Sequence, residues 1–182
     1  MSGITSIYEQ VCSILDRHPL AGVDCGELCG KLCCCYVVEG EDESGVELLP
    51  GEEENFPLEA EWHKPRFLSQ SLYEYPPDWD GRSGLFQIKC LKACPREERP
   101  VNCRLFPFQL YREGDRYYLA LIGAGSQYDC ALVKNPELIN QKFVESVKEA
   151  AALLLEIPSV RQLVDWDSTN IEKDYIRMKI GI

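Results

Sequence analysis

The chain has 182 residues, of which 45% are apolar and 27% are charged, and these values are typical of one globular domain that buries its own core. Its formal net charge is −11, and ten acidic residues with no lysine or arginine lie between positions 39 and 61. Because the chain lacks clustered cations and any 18-residue apolar run, we expect neither a nucleic-acid partner nor a membrane span.

The acidic stretch bears on which partner the protein binds, and the first ten residues bear on the cellular compartment in which we expect it. We expect residues 39–61 to form a solvated loop, with docking of a basic protein partner as the alternative. The first ten residues carry neither a basic segment nor an apolar run of the kind that directs export. The sequence therefore predicts a cytoplasmic protein with reduced cysteines.

Apolar periodicity predicts helices near both ends of the chain. Residues 4–16 carry apolar side chains at helical spacing, and Cys12 on that face is expected to be a small buried residue. Asn135 and Pro136 are residue types favoured at a helix start. We expect a helix from there to the residue before Pro158, with one apolar stripe made of Ile139, Phe143, Val147, Ala150 and Leu154. A short helix through Val164 is expected after it.

Short strands and irregular loops are predicted for the middle of the chain. Strands are expected at residues 36–38 and 46–49, and the second is followed by the turn signal Pro50-Gly51. Residues 56–84 are rich in proline and aromatic side chains, which predicts a packed but irregular region.

A β-hairpin is predicted for residues 106–111 and 117–122, which are separated by a polar segment that contains glycine. Together these elements predict an α+β fold with helices near both ends. We expect one metal-stabilised domain over residues 1–182, in which short strands and loops surround a cysteine cluster at about residues 22–130.

Ten cysteines are the clearest chemical signal in the sequence, and five of them lie within the eleven residues 25–35. Neighbouring cysteines such as Cys33 and Cys34 are poor disulfide partners, because a disulfide has strict Cα and Cβ geometry. Thiolates gathered in a reduced chain instead predict a soft-metal site. The candidate ligands are Cys25, Cys29, Cys33, Cys34, Cys90, Cys94, Cys103 and Cys130.

The spacing of the first group limits how one ion can be held. On an unbroken helix, Cys25 and Cys33 would lie about 12 Å apart, whereas sulfurs around one zinc ion lie about 3.8 Å apart. Either the helix is broken at Gly26 or Gly30, or the row serves more than one metal or a larger cluster. Eight thiolates suffice for two zinc sites, or for an iron–sulfur cluster and one zinc ion. The spacing leaves the identity of the metal open.

Three features resemble the YkgJ-type cysteine-cluster family: the run C-x3-C-x3-C-C, the Leu49–Glu52 sequence, and the segment C-x3-C-x8-C-R-L-F-P from Cys90. That family is described as zinc- or iron-chelating, and the flagellin lysine-N-methylases are similar to it. The resemblance implies a metal-binding protein, and its cysteines match all the candidate ligands except Cys130, which fits less tightly. The first spacing is wider here and Cys35 is extra, so the choice among Cys33, Cys34 and Cys35 stays open.

Three functions are compatible with these features, and the sequence does not decide whether the protein is an enzyme. The first is a metal-binding protein whose thiolates hold zinc or an iron–sulfur cluster. The second, implied by the resemblance, is an iron–sulfur-dependent enzyme like a protein-lysine methyltransferase. The third is metal storage, delivery or sensing, which needs exposed and labile thiolates.

The sequence also supports predictions for two residues other than cysteine, His63 and Arg104. His63 lies in an acidic context and is expected on the surface. Arg104 directly follows Cys103 and is expected to pair with a carboxylate of the acidic segment, although it could also lower the pKa of a nearby thiol.

Overall fold

A computed structural model describes residues 3–18, 20, 28, 45–71, 73–92, 94–122, 130–171, 173 and 176–182. Within these residues the helices are α1 (Gly3–Leu15), α2 (Val101–Leu105), α3 (Ala131–Lys134), α4 (Gln141–Leu154) and α5 (Pro158–Asn170). The strands are β1 (Val46–Glu47), β2 (His63–Ser69), β3 (Gly84–Cys90), β4 (Phe108–Glu113), β5 (Arg116–Ile122) and β6 (Ile176–Gly181). The predicted α+β class is confirmed.

The strands form two antiparallel sheets of three strands each. The first has the order β1-β3-β2, and the second has the order β4-β5-β6. Strands β2 and β3 pair from His63 opposite Cys90 to Ser69 opposite Gly84. Strands β4 and β5 form the predicted hairpin, whose turn contains Gly114 with a positive φ of 60°.

A large core joins the helices to both sheets. Helix α1 packs against α4, and α5 packs against β4. On α4 the predicted apolar stripe is buried at Phe143, Val147, Ala150 and Leu154. A separate group of buried residues, here called the small cluster, consists of Leu48, Trp62 and Ile88. The small cluster lies at the first sheet, and Cys90 and Cys94 pack against it.

Two of the predicted helix boundaries were wrong. Helix α4 begins at Gln141, and Asn140 rather than Asn135 is its N-cap, because the Asn140 side chain accepts a hydrogen bond from the Lys142 amide at 3.0 Å. Pro136 instead begins a 3₁₀ turn. Helix α5 runs well past Val164 to Asn170.

Three strands, β2, β3 and β6, were not predicted from the sequence. Strand β2 lies inside the region expected to be irregular, and its charged residues and Pro65 are tolerated because β2 is an edge strand. Strand β6 alternates partly buried and exposed residues, and Met178 and Ile180 pack against the large core.

The remaining predictions for the middle of the chain have mixed outcomes. Strand β1 covers only the first two residues of the strand expected at 46–49, and Gly51 adopts a positive φ of 91° at the predicted turn. Trp62, Tyr75 and Trp79 are buried, as expected for a packed region. The strand expected at 36–38 lies outside the described residues. In the part of the chain that is described, no helix has both the length and the apolar character needed to cross a bilayer.

Candidate metal centre

The structure describes four of the eight predicted ligands, and each of these is partly buried: Cys90, Cys94, Cys103 and Cys130. Cys90 ends β3, Cys103 lies in the middle of α2, and Cys130 directly precedes α3. The other predicted ligands, Cys25, Cys29, Cys33 and Cys34, lie outside the described residues, as does Cys35.

Cys90 and Cys94 both pack against the small cluster. After β3 the chain turns back over Trp62, whose carbonyl oxygen accepts hydrogen bonds from the Leu91 amide at 2.8 Å and the Lys92 amide at 3.3 Å. The Trp62 indole donates to the Glu98 carboxylate at 2.6 Å. Trp62 is thus held through both its backbone and its ring, and it fixes the apolar surface beside the two thiols.

Cys103 lies on α2, a five-residue helix that is too short to be stable alone. The amide of Val101 donates to the buried carboxyl group of Glu52 at 2.7 Å. The side-chain amide of Asn102 donates to the carbonyl of Glu47 at 2.7 Å. These bonds attach the residues before Cys103 to β1 and to the turn that follows it.

Arg104 attaches the other side of α2 to α1. Its guanidinium donates to both Asp16 carboxylate oxygens at 2.5 and 2.6 Å, and to the carbonyls of Glu97 at 3.0 Å and Arg99 at 2.7 Å. The prediction that Arg104 pairs with the acidic segment was wrong, because α1 packs against α2 and brings Asp16 to it. Burial raises the pKa of Cys12, and Arg104 opposes that shift.

Cys12 and Cys130 have different surroundings from Cys90 and Cys94. Both pack against the large core rather than against the small cluster. Cys12, on α1, was predicted to be a small buried residue; it packs against the core as expected but is only partly buried. Cys130 therefore packs on a different cluster from Cys90 and Cys94, and its role as a ligand stays a prediction.

His63 is only 3% exposed, so the prediction of a surface residue was wrong. Its ring lies 4.3 Å from the Trp62 ring and 5.3 Å from the Phe56 ring, measured between centroids, and these contacts explain its burial. Nε2 lies 2.9 Å from the carbonyl oxygen of Pro57. Nδ1 is buried and has no hydrogen-bond partner among the residues that the structure describes. Leaving such an atom unpaired costs about 1–3 kcal/mol.

The described part of the acidic segment is not simply a solvated loop. Glu52 is 6% exposed, and its carboxyl group accepts hydrogen bonds from the amides of Leu49 and Val101. Glu53 forms an ion pair with Arg82. Glu59 and Glu61 are exposed, as predicted. The segment is therefore partly structural, and docking of a basic partner there stays a prediction.

Thiolate sulfur and imidazole nitrogen are the donors that zinc and related soft metals prefer, and Cys90, Cys94 and His63 all lie beside the small cluster. The donor chemistry of this region therefore fits such a metal. Among the described residues, however, no three His, Cys, Asp or Glu side chains are grouped so that they could hold an ion by themselves. A complete site would need ligands from elsewhere in the chain.

No family model, curated protein or solved structure matches this chain. The resemblance to the YkgJ-type family therefore stays a prediction based on the motif residues. Evidence about function comes from the placement of the cysteines and of the side chains around them.

Proposed function

We propose that the protein binds metal through cysteine thiolates, as zinc or as an iron–sulfur cluster. The observation that carries this proposal is the placement of Cys90, Cys94 and Cys103 along one segment from β3 to α2. Cys90 and Cys94 pack on the same small cluster, and α2 is attached to three other parts of the fold. These attachments favour metal binding because a pre-organised segment loses less conformational entropy when its ligands assemble around a metal.

The remaining ligands in this proposal come from the first cysteine group: Cys25, Cys29, Cys33 and Cys34. The described residues alone do not form a three-ligand group, so the proposal requires ligands from this first group. A bound ion would supply a cross-link between distant parts of the chain, and the binding free energy would then contribute to folding. A cytoplasmic location belongs to the same proposal, because a reducing compartment keeps thiols available to metal.

The proposal is tested by purifying the full chain without oxygen and measuring its bound metal, sulfide and visible absorption. We expect stoichiometric zinc in a colourless protein, or iron and sulfide in a brown one. Cys90→Ser and Cys103→Ser should each lower the metal content. Cys12→Ser is the matched control, because Cys12 packs against the large core, and it should retain the metal.

Full metal content in both Cys90→Ser and Cys103→Ser would contradict the proposal, as would a folded wild-type protein that takes up no metal. Colourless protein with stoichiometric zinc would exclude the methyltransferase-like alternative, since that alternative requires iron and sulfide. If Cys25→Ser and Cys90→Ser each removed only part of the metal, the chain would contain two sites. Cys130→Ser tests in the same assay whether Cys130 is a ligand.

A further inference from the structure

The two ring nitrogens of His63 have different surroundings. A carbonyl oxygen only accepts hydrogen bonds, so the contact of 2.9 Å with Pro57 requires the proton of the neutral ring to lie on Nε2. The lone pair is then on Nδ1, which is buried and has no partner within the described part of the chain. Histidines that bind metal commonly donate their other N–H group to a carbonyl oxygen, which fixes the tautomer and the ring orientation. His63 has this arrangement.

The register of the first sheet places Cys90 directly opposite His63. The Leu91 amide bonds to the Trp62 carbonyl, so the flanking residues carry the hydrogen bond and His63 and Cys90 form a non-hydrogen-bonded pair. In such pairs the two side chains lie on one face of the sheet, with Cβ atoms about 4.5–5.5 Å apart. A nitrogen and a sulfur that share one tetrahedral zinc ion lie about 3.6 Å apart. The register therefore allows both side chains to reach one ion.

We propose that Nδ1 of His63 is a ligand of the metal ion that Cys90 binds, and that this ion is zinc in a mixed sulfur and nitrogen site. The inference rests on the proposed function, because it requires Cys90 to bind metal. His63 and Cys90 supply two ligands, and cysteines elsewhere in the chain supply the others. The carbonyl of Pro57 positions the ring through Nε2. Imidazole together with thiolate suits zinc, whereas iron–sulfur clusters are usually held by thiolates alone.

The first test counts ligands directly in the wild-type chain loaded with zinc. X-ray absorption at the zinc edge distinguishes nitrogen at about 2.0–2.1 Å from sulfur at about 2.3 Å. We expect at least one nitrogen ligand. Coordination by sulfur alone would overturn the inference, and this measurement does not depend on whether a variant folds.

The second test uses His63→Gln, because the glutamine amide can still donate to the Pro57 carbonyl but places no ring nitrogen at the Nδ1 position. We expect at least a tenfold weaker affinity for zinc, and an altered spectrum when Co²⁺ replaces zinc as the probe. His63→Cys should restore binding and shift the Co²⁺ spectrum towards more sulfur ligation. His18→Gln, which changes the other histidine of the chain, is the matched control and should bind zinc like the wild type.

The outcomes separate this inference from the proposed function. If Cys90→Ser weakens zinc binding while His63→Gln leaves both affinity and spectrum unchanged, His63 is structural and only the inference is overturned. If neither variant changes binding, or the wild type binds no metal, both this inference and the role of Cys90 in the proposed function are overturned. An iron–sulfur cluster that is unchanged in His63→Gln would also overturn the inference.

Discussion

The side chain of Glu52 joins two distant parts of the chain through one carboxyl group. Its two oxygens accept the amides of Leu49 at 2.9 Å and Val101 at 2.7 Å. Leu49 begins the Leu-Pro-Gly-Glu sequence, and Val101 lies two residues before Cys103. Both segments contribute to the family resemblance, and the structure shows that they contact each other through Glu52. This contact assigns Glu52 a positioning role beside the candidate site.

Burial raises the pKa of Glu52 from 4.5 to about 7, while its two amide bonds act in the opposite direction. Between those two pH values the folded state therefore binds more protons than the unfolded state. As a result, the contribution of Glu52 to the free energy of unfolding is largest below about pH 4.5 and falls as the pH rises to about 7.

Glu52→Gln removes this titration and leaves a single acceptor oxygen for two amides. We expect the variant to be less stable than the wild type at pH 5 by about 1–3 kcal/mol, with a smaller difference at pH 8. Urea unfolding of both proteins at the two pH values measures the difference. Glu59→Gln is the control, because Glu59 is exposed. A difference that grows between pH 5 and pH 8 would contradict this account.

Asp167 on α5 is a second carboxyl group whose pKa is raised, to about 7. Burial is the main cause, and the nearby Glu47 acts in the same direction. Burial also raises the pKa of Glu47. At pH 8 the two ionised groups repel each other, so Asp167→Asn should increase the free energy of unfolding by about 1–2 kcal/mol there. At pH 5, where Asp167 is protonated, the substitution should have little effect.

The control for Asp167 lies two residues earlier on the same helix. Asp165 accepts a hydrogen bond from the Tyr117 hydroxyl at 2.8 Å and pairs with Arg112 at 2.9 Å. Asp165→Asn should therefore lower stability at both pH values. Thermal unfolding of the two variants at pH 5 and pH 8 checks the prediction, and it is wrong if Asp167→Asn also lowers stability at pH 8.

At the scale of elements, α2 depends on Arg104 for its position. The guanidinium is nearly buried, with 5% of the side chain exposed, and it joins the Asp16 carboxylate to two backbone carbonyls. Lysine has one compact ammonium group and cannot reproduce this planar geometry. Arg104→Lys should lower the free energy of unfolding by about 1–3 kcal/mol and also weaken metal binding, since Cys103 lies on the same short helix.

Arg96→Lys is the matched control for this substitution. Arg96 also faces Asp16, but at 3.9 Å and with about half of its side chain exposed, so it should contribute little. Urea unfolding and metal titration of both variants check the prediction. Equal losses in the two variants would show that the buried hydrogen bonds of Arg104 do not position α2.

The sequence predicted those helices and strands whose apolar periodicity or turn residues agree with their burial and pairing in the fold. The stripe on α4 and the β4–β5 hairpin have clear periodicity or turn residues, and both are present. Strand β2 was missed because His63, Lys64, Pro65 and Arg66 give no alternating apolar pattern, and its pairing comes from β3. The start of α4 was misplaced because Asn135 and Asn140 are equally good caps by type, and only tertiary packing decides between them.

The candidate site was predictable to a smaller extent than the fold. Cysteine spacing predicted Cys90, Cys94 and Cys103 as ligands, which stays a prediction, and the structure places the first two on one apolar cluster. Spacing could not identify His63, because its relation to Cys90 depends on the register of two strands. An aromatic neighbour at position 62 was the one local sign that His63 is buried. The hydrogen bond of Glu52 to Val101 could not be predicted either, since the two residues are distant in sequence.

At the scale of the whole molecule, the large core and the small cluster should respond differently to removal of the proposed metal. The large core draws on α1, α4, α5 and the second sheet, and it buries many more side chains than the small cluster. Cys90, which ends β3, and Cys94 pack against the small cluster. Local unfolding begins where few apolar contacts support the backbone. Removing the metal should therefore loosen this end of the first sheet before it affects the large core.

Amide hydrogen exchange of the full chain, with and without a chelator, tests this expectation. The amides of Leu91 and Lys92, which bond to the Trp62 carbonyl beside Cys90, should lose protection when the metal is removed. The amide of Val147, within α4 in the large core, should keep its protection. Cys90→Ser should already show fast exchange at Leu91, and the chelator should then add little. Equal loss of protection in α4 would show instead that the metal stabilises the whole domain, as it does in proteins that unfold when their metal is removed.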